Sequence, residues 1–589
     1  MSRAPSIASS RFLAPSSVSR VPPQVAHLPW SRRIATSPKS RTGATSASSA
    51  SASAPLAFAK LELPSTLSRL DQQARQNLQR AGIIAAGGLV SLSALALALK
   101  PSEPDPIVDR PNPADDAILK TIPFSKLLNG YFVYGCVSIP FLVDISDSLL
   151  KFMSAVPGVS DGWRWFIRHT FFFQFLAGET TEEALPRIAE LRARGCGTLL
   201  GYNIEALEGG AAKPESLIRS QLEETYNAIK TNGEFGAAHS SAKAFATGDT
   251  RSWVRIKLTG LIADPMVIWR ASDAITAHRA AEGMDNVCYY PGAPVDGDWD
   301  HLFSKNSPLS IEDQEKVKGL YSIARDLMKA GQAHGVRVIV DAEQTWYQPL
   351  IDVATEELMR EFNTGKNGPP VVVASLQAVL RRNSNLIKDQ LERAKRFGYV
   401  FAWKQVRGAY HPYEMARWSA EKRSGPPPVW ETKPETDKCY KESMELACAA
   451  IRNRIDNPSN APDLAYIAAT HNEISVDEGL ELIAKYQLGQ PLRDGSYMLS
   501  EDVANRFAFA QLYGMKDNLT NRIAGTLKSE TGLPLVCKSM SYGNLDEALP
   551  FLARRAIENK SIMEGRGGAS SERKRLGKEI VRRLLPWRE

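Results

Sequence analysis

Residues 399–410 read Tyr-Val-Phe-Ala-Trp-Lys-Gln-Val-Arg-Gly-Ala-Tyr. From Val400 to Val406 the apolar residues form a near-continuous run rather than an alternating one, the pattern of a strand buried on both faces. Its charged residues, Lys404 and Arg407, gather towards its end. Working outward, helical periodicity precedes the run over Leu386–Phe397 and follows it over Lys441–Arg454. The same unit recurs along the chain. Strand runs are predicted at Gly197–Ala206, Trp253–Thr259, Val336–Ala342, Val371–Gln377, Leu464–Thr470, Phe507–Tyr513 and Pro534–Met540, with further helical patterns at Gln314–His334 and Val476–Tyr486. Strands separated by helices predict parallel crossovers. Eight of them predict an α/β fold, a (β/α)8 TIM-like barrel. An open doubly wound sheet is the alternative. Against it, Gly195–Gly201 reads Gly-Cys-Gly-Thr-Leu-Leu-Gly, with the last glycine one place late for a dinucleotide fingerprint.

The rest of the chain divides by composition. The net charge of +7 points first to an acidic partner. Residues 1–61, however, hold Arg3, Arg11, Arg20, Arg32, Arg33, Lys39, Arg41 and Lys60 and no acid; without them 64 basic residues face 65 acidic ones. The basicity sits in the leader, so a nucleic-acid partner loses its support. A leader rich in Arg, Ser and Ala reads as a mitochondrial transit peptide, or else as a disordered low-complexity tail. Residues 81–99 are uncharged and predict either a single membrane span or a buried helix. Five prolines in 101–113 make a linker. Domains are therefore placed at 1–61 (disordered leader), 62–119 (apolar helix and Pro-rich linker), 120–195 (N-terminal helical region), 196–562 (barrel) and 563–589 (basic C-terminal tail). In the tail Leu576, Ile580 and Leu584 recur at helical spacing, which predicts a basic amphipathic helix on a membrane or a solvated one. Six scattered cysteines show neither metal-ligand nor redox spacing, so no metal is expected and a reducing compartment fits. The long segment Gly260–Gly335 has no assigned role.

In a barrel of this type active residues cluster at the C-terminal ends of the strands. Here those ends carry Lys257, then Asp341, then Gln377, then Lys404 with Arg407, then Thr470, His471 and Asn472. Each has a plain structural alternative: a paired surface lysine, a helix-capping aspartate, a hydrogen-bonded histidine. Five polar strand ends in one barrel are harder to assign to stability alone.

Four blocks carry a resemblance: Val-Asp-Ala-Glu-Gln-Thr-Trp-Tyr-Gln-Pro (340–349), Lys-Gln-Val-Arg-Gly-Ala-Tyr (404–410), Ala-Thr-His-Asn (469–472) and Phe-Leu-Ala-Arg-Arg-Ala-Ile-Glu-Asn (551–559). In this order they resemble the signature blocks of the proline dehydrogenase family, over roughly 185–560. The resemblance implies a distorted barrel that holds FAD without a Rossmann fold. It implies oxidation of L-proline to 1-pyrroline-5-carboxylate, with electrons passed to ubiquinone at the inner mitochondrial membrane on its matrix side. A monofunctional enzyme is expected, because no appended aldehyde dehydrogenase module follows. Arg554 and Arg555, expected to open the helix after the last strand, would bind the substrate carboxylate, since a guanidinium offers paired planar donors. Lys257 would add a third cation, and Asp341 would pair with Lys257. Lys404 would place a cation beside the flavin, where it stabilises charge developing on reduction. Tyr410 would pack on the proline ring. Ala342, Gln377, Val406, Arg407, Gly408, Ala409, Thr470, His471, Asn472 and Glu558 would line the cofactor, with Lys433 near its pyrophosphate.

Two positions depart from the family pattern. Ser539 and Phe551 stand where many relatives carry tyrosine. A serine at 539 opens space and adds a hydroxyl partner, which predicts relaxed discrimination against hydroxyproline. The rival readings are another barrel flavoenzyme, of the methylenetetrahydrofolate reductase type, and a catalytically inactive membrane-anchored scaffold.

Overall fold

A computed structural model describes residues 112–144, 160–202, 213–284, 288–365, 368–423, 425–563 and 568–585, with the backbone alone at 140, 160 and 556–563. The leader, the apolar stretch 81–99, most of the Pro-rich linker and the side chain of Glu558 lie outside the described residues.

Eight parallel strands close into a barrel in sequence order: β1 (Cys196–Tyr202), β2 (Ser252–Ile256), β3 (Val338–Val340), β4 (Val372–Gln377), β5 (Val400–Val406), β6 (Asp463–Ala469), β7 (Phe507–Leu512) and β8 (Val536–Tyr542). Closure comes from β1 against β8, paired from Cys196 with Val536 to Tyr202 with Tyr542. All eight predicted runs are strands, and the open-sheet alternative falls on that pairing. The strands are buried on both faces because each side packs an apolar layer. Leu199, Trp253, Ile339, Val373, Ala402, Ala465, Ile467, Ala508, Ala510 and Cys537 fill the interior. Their neighbours, among them Leu200, Val254, Val338, Phe401, Trp403, Tyr466 and Phe509, meet the surrounding helices. Large Trp253 on one wall faces alanines on β5–β7, the large-against-small packing that fills a barrel without voids.

The unassigned segment after β2 is an enlarged crossover. It holds helices Met266–Ala281, Asp298–Leu302 and Ile311–His334. The buried pair Arg279–Asp298 (2.6 Å) and the pair Arg270–Asp313 (2.8 Å) tie these helices together. A three-stranded sheet (Gln490–Pro491, Tyr497–Leu499, Leu527–Ser529) sits beside the barrel.

The basic tail buries one face: Leu576 and Ile580 are covered by the protein, while Leu584 stays exposed. Helix Ala569–Leu584 packs on helix Phe124–Val137, and Leu576 and Ile580 are buried with Leu119, Leu127, Tyr134 and Val137. Arg583 donates to the carbonyls of Leu119 (2.6 Å) and Ile122 (2.8 Å), capping the C-terminal end of helix Pro113–Thr121. Arg575 pairs with Asp115 at 2.8 Å, and Asn521 donates to the same carboxylate at 2.7 Å. Composition gave the helix and its charges; its partner face lies more than 400 residues upstream.

Candidate active site

Side chains alternate across a strand, so the inward positions follow from the core layer. Trp253 faces in, hence Arg255 and Lys257 do. The same step leads from Ile339 to Asp341, from Val373 to Gln377, from Ala402 to Lys404, and from Cys537 to Ser539 and Ser541. Below them lie apolar residues; at the C-terminal mouth the inward residues turn polar.

Asp341 is the hub. Its Oδ1 accepts from Lys404 Nζ at 2.6 Å and its Oδ2 from Arg255 Nη1 at 3.3 Å. Burial pushes its carboxyl up, but Lys404 and Arg255 outweigh burial and hold it below the ordinary value. The expected Lys257–Asp341 pair does not form. Lys257 instead neighbours Tyr410, Glu343 and Arg554. The Tyr410 oxygen does most to raise its ammonium, against burial, with help from Glu343 and Asp341. Burial raises the Tyr410 phenol in turn. At neutral pH this corner therefore holds a charged ammonium beside a neutral phenol.

Arg554 and Arg555 lie well inside helix Leu545–Met563 rather than opening it. Successive helical residues point about 100° apart, and the two arginines diverge accordingly. Arg554 is exposed, within electrostatic reach of Lys257 and Tyr410. Arg555 is buried, stacks on Phe551 at 4.7 Å, and lies within reach of His471.

The β5 and β6 ends form a second, more positive region. Arg407 donates to Asp437 (2.8 Å), Thr470 Oγ1 (2.7 Å) and Ser475 (2.9 Å) and stacks on Tyr440. Its guanidinium thus ties the barrel wall together. Asn472 caps helix Glu473–Lys485 through the Ile474 amide at 2.9 Å. Gln377 donates to the Glu343 carbonyl at 2.9 Å. Gly408 has φ +123°, and a Cβ there would lie 2.5 Å from Val379 Cγ1, so the glycine is required by the neighbouring β4 loop. Lys433 is exposed and pairs with Asp437 on its own helix. Ala342 and Val406 are half-buried at their strand ends and Ser539 is half-buried midway along β8, while Ala409 is exposed.

His471 is different. Its Nε2 accepts from the Leu512 amide at 3.2 Å, so a neutral ring carries its proton on Nδ1. That Nδ1 is buried with no hydrogen-bond partner among the described residues. Burial, then Lys538, Arg555, Lys516 and Arg407, keep the ring neutral, far below the usual histidine range. A buried, unsatisfied donor among cations fits an anionic or carbonyl-bearing group, and a flavin dinucleotide supplies both. The residues present are therefore compatible with a flavin cofactor, which His471 and the cations around it could hold.

Three residues escaped the sequence reading. Glu343 is buried with its carboxylate on Thr259 (amide, 3.2 Å, and hydroxyl), and Glu414 accepts from the Thr345 amide at 2.8 Å. These bonds tie the β2, β3 and β5 loops into one rim. Arg255 could have been found by parity, two residues before Lys257. Glu414 carries no such signal, because it acts from within a helix.

A family model described as proline dehydrogenase matches residues 184–565. The chain belongs to the proline dehydrogenase family. Its family relatives include "Proline dehydrogenase 1, mitochondrial" of Dictyostelium discoideum, 26% identical over 78% of this chain and 73% of that one. Proline dehydrogenase 2, mitochondrial, of Arabidopsis thaliana is 27% identical over 82% and 93%. Hydroxyproline dehydrogenase of Mus musculus is 28% identical over 71% and 83%. Among solved structures, proline utilization A from Bdellovibrio bacteriovorus aligns at 18% identity and TM-score 0.48, over 80% of this chain and 40% of that one. The barrel itself rests on this chain's own strand pairing. Membership makes the chain an oxidoreductase of proline catabolism with a barrel scaffold, and removes the folate-reductase rival.

Proposed function

We propose that the protein oxidises L-proline to 1-pyrroline-5-carboxylate with bound FAD and passes the electrons to ubiquinone, the first step of proline catabolism to glutamate. The observation that carries this is the corner of Lys257, Tyr410 and Arg554 beside the Lys404–Asp341 pair, at the C-terminal mouth of a barrel of this family. FAD supplies the acceptor for the hydride that leaves the ring carbon next to nitrogen. The chain's own residues bind and orient. Lys257 and Arg554 hold the carboxylate from two sides, with Arg555 behind them. Tyr410, neutral at working pH, packs on the ring. Lys404 keeps a cation near the developing negative charge, and Asp341 fixes where that cation sits. His471 would donate through Nδ1 to the cofactor, and Thr470, Asn472, Gln377, Arg407, Val406–Ala409, Ala342 and Lys433 would line it, while Glu558 is assigned to it from the family resemblance alone.

The visible spectrum of the purified protein tests the reading. Oxidised flavin absorption that bleaches with L-proline supports it; a colourless protein, or a flavin that proline leaves oxidised, overturns it. A second reading is favoured by Ser539 and by the hydroxyproline dehydrogenases among the relatives: the ring pocket accepts 4-hydroxyproline. The leader at 1–61 and the mitochondrial names of relatives support import and a matrix-side position on the inner membrane. Among the described residues no helix is long and apolar enough to cross a membrane.

A further inference from the structure

Arg255 and Lys257 sit two residues apart on the inward face at the end of β2, yet only one of them engages Asp341. Lys404 takes one carboxylate oxygen (2.6 Å) and Arg255 the other (3.3 Å), and among the described residues Lys257 forms no ion pair. The place of Arg255 is built by three strands. Its Nη2 donates to Ser541 Oγ on β8 at 2.6 Å. On β1, a Cβ at Gly201 would come within 2.5 Å of Arg255 Cγ and 2.7 Å of its Nε. Gly201 and Ser541 are register partners, so the β1–β8 seam offers two small residues at one level, and the guanidinium fills the space they leave.

We propose that Arg255 is a positioning residue that holds Asp341 away from Lys257 and so keeps the Lys257 ammonium available to the substrate carboxylate. Without Arg255, Lys404 would still hold Oδ1, but the freed Oδ2 would draw in Lys257, and an incoming carboxylate would have to displace it. A planar fork can bridge Ser541 and Asp341 at once, which a single ammonium does less well. The inference rests on the reading of this corner as a carboxylate site.

The test measures calorimetric Kd on the FAD-loaded enzyme for cyclopentanecarboxylate, a five-membered-ring carboxylate with no nitrogen to oxidise. Arg255→Met should weaken binding about tenfold, a size typical of coupled neighbours. Ser541→Ala should weaken it less, and Arg255→Lys should regain part of the loss. In an Asp341→Asn background Arg255→Met should change Kd little, because no carboxylate is left to capture Lys257. KM for L-proline should follow Kd while kcat stays within about twofold, the signature of lost uniform binding. An unchanged Kd in Arg255→Met, or an equal loss in the Asp341→Asn background, overturns the inference. If Arg255→Met does not fold, a wild-type Kd in Ser541→Ala overturns it instead. A wild-type enzyme that neither binds the probe nor oxidises proline overturns the carboxylate site itself, a separate outcome.

Discussion

At the scale of single residues, the tandem arginines divide their labour. Arg554 faces the Lys257–Tyr410 corner and Arg555 the His471 region. Arg554→Ala should raise KM for L-proline about fivefold, the size of loss expected for a solvent-exposed charge pair. Arg555→Ala should instead reduce the flavin retained on gel filtration; equal effects of both variants on KM alone would contradict the division. Ser539→Tyr should lower the hydroxyproline-to-proline ratio of kcat/KM by about tenfold or more, because an added ring rejects a substituent that a hydroxyl tolerates; an unchanged ratio would sink the idea. Charge states set a pH sign. Asp341, held below its ordinary value of 3.8 although burial opposes this, contributes stability that is present above 3.8 and is lost as pH falls through its folded value. Burial raises Glu414 above its ordinary 4.5, so its contribution is complete below 4.5 and declines as pH rises through the folded value. Glu414→Gln keeps a bond to Thr345 and should gain stability over wild type as pH rises. Glu414→Ala leaves the Thr345 amide unsatisfied and should cost about 1–3 kcal/mol. Thermal unfolding across pH separates the two variants.

At the scale of elements, the rim loops are held by buried carboxylates and the terminal helices by one another. Helix Ala569–Leu584 closes over Phe124–Val137 so tightly that a Cβ at Gly130 would lie 2.8 Å from Leu576 Cδ1. Leu576→Ala should cost about 2–5 kcal/mol, the usual range for a buried leucine, and Gly130→Val should do comparable damage by overpacking. Both are read as a fall in Tm. Removing 568–589 should lower Tm because it strips Leu576 and Ile580 from their core; an unchanged Tm would refute this packing. Tyr134, in the helix beneath, donates to the Gly514 carbonyl at 2.7 Å and so reaches the loop after β7, whose strand supplies the Leu512 amide to His471. Damage to the terminal helices is therefore expected to loosen cofactor as well as fold.

At the scale of the whole molecule, the barrel separates stability from chemistry. Its N-terminal end is locked by Asp249, which pairs with Arg337 at 2.8 Å and accepts from Trp253 Nε1 at 2.9 Å, with Arg251 stacked on the same indole. Its C-terminal end gathers the polar strand termini. Parallel strands in sequence order make this polarity automatic, because every strand ends at the same face. Substitutions at the first end should act on Tm, and those at the second on KM or flavin content.

Much of this was legible in the sequence. Eight apolar runs with helices between them specify parallel strands buried on both faces, and β5 was predicted residue for residue, but closure into a barrel rather than an open sheet was decided by the pairing of β1 with β8. Position along each strand placed Lys257, Asp341, Gln377 and Lys404 at C-terminal ends; which of their strands' side chains face inward became visible only with the interior layer of Trp253, Ile339, Val373 and Ala402. Nor does position along a strand determine distance around the ring. That Asp341 takes Lys404 and Arg255 rather than Lys257 depends on barrel stagger and on the space left by Gly201 and Ser541. That Gly408 serves Val379, and that Leu576 and Ile580 bury against a helix at the other end of the chain, likewise depends on contacts between residues far apart in sequence. Local pattern fixes where along a strand a side chain lies; only closure of the barrel fixes what stands opposite it.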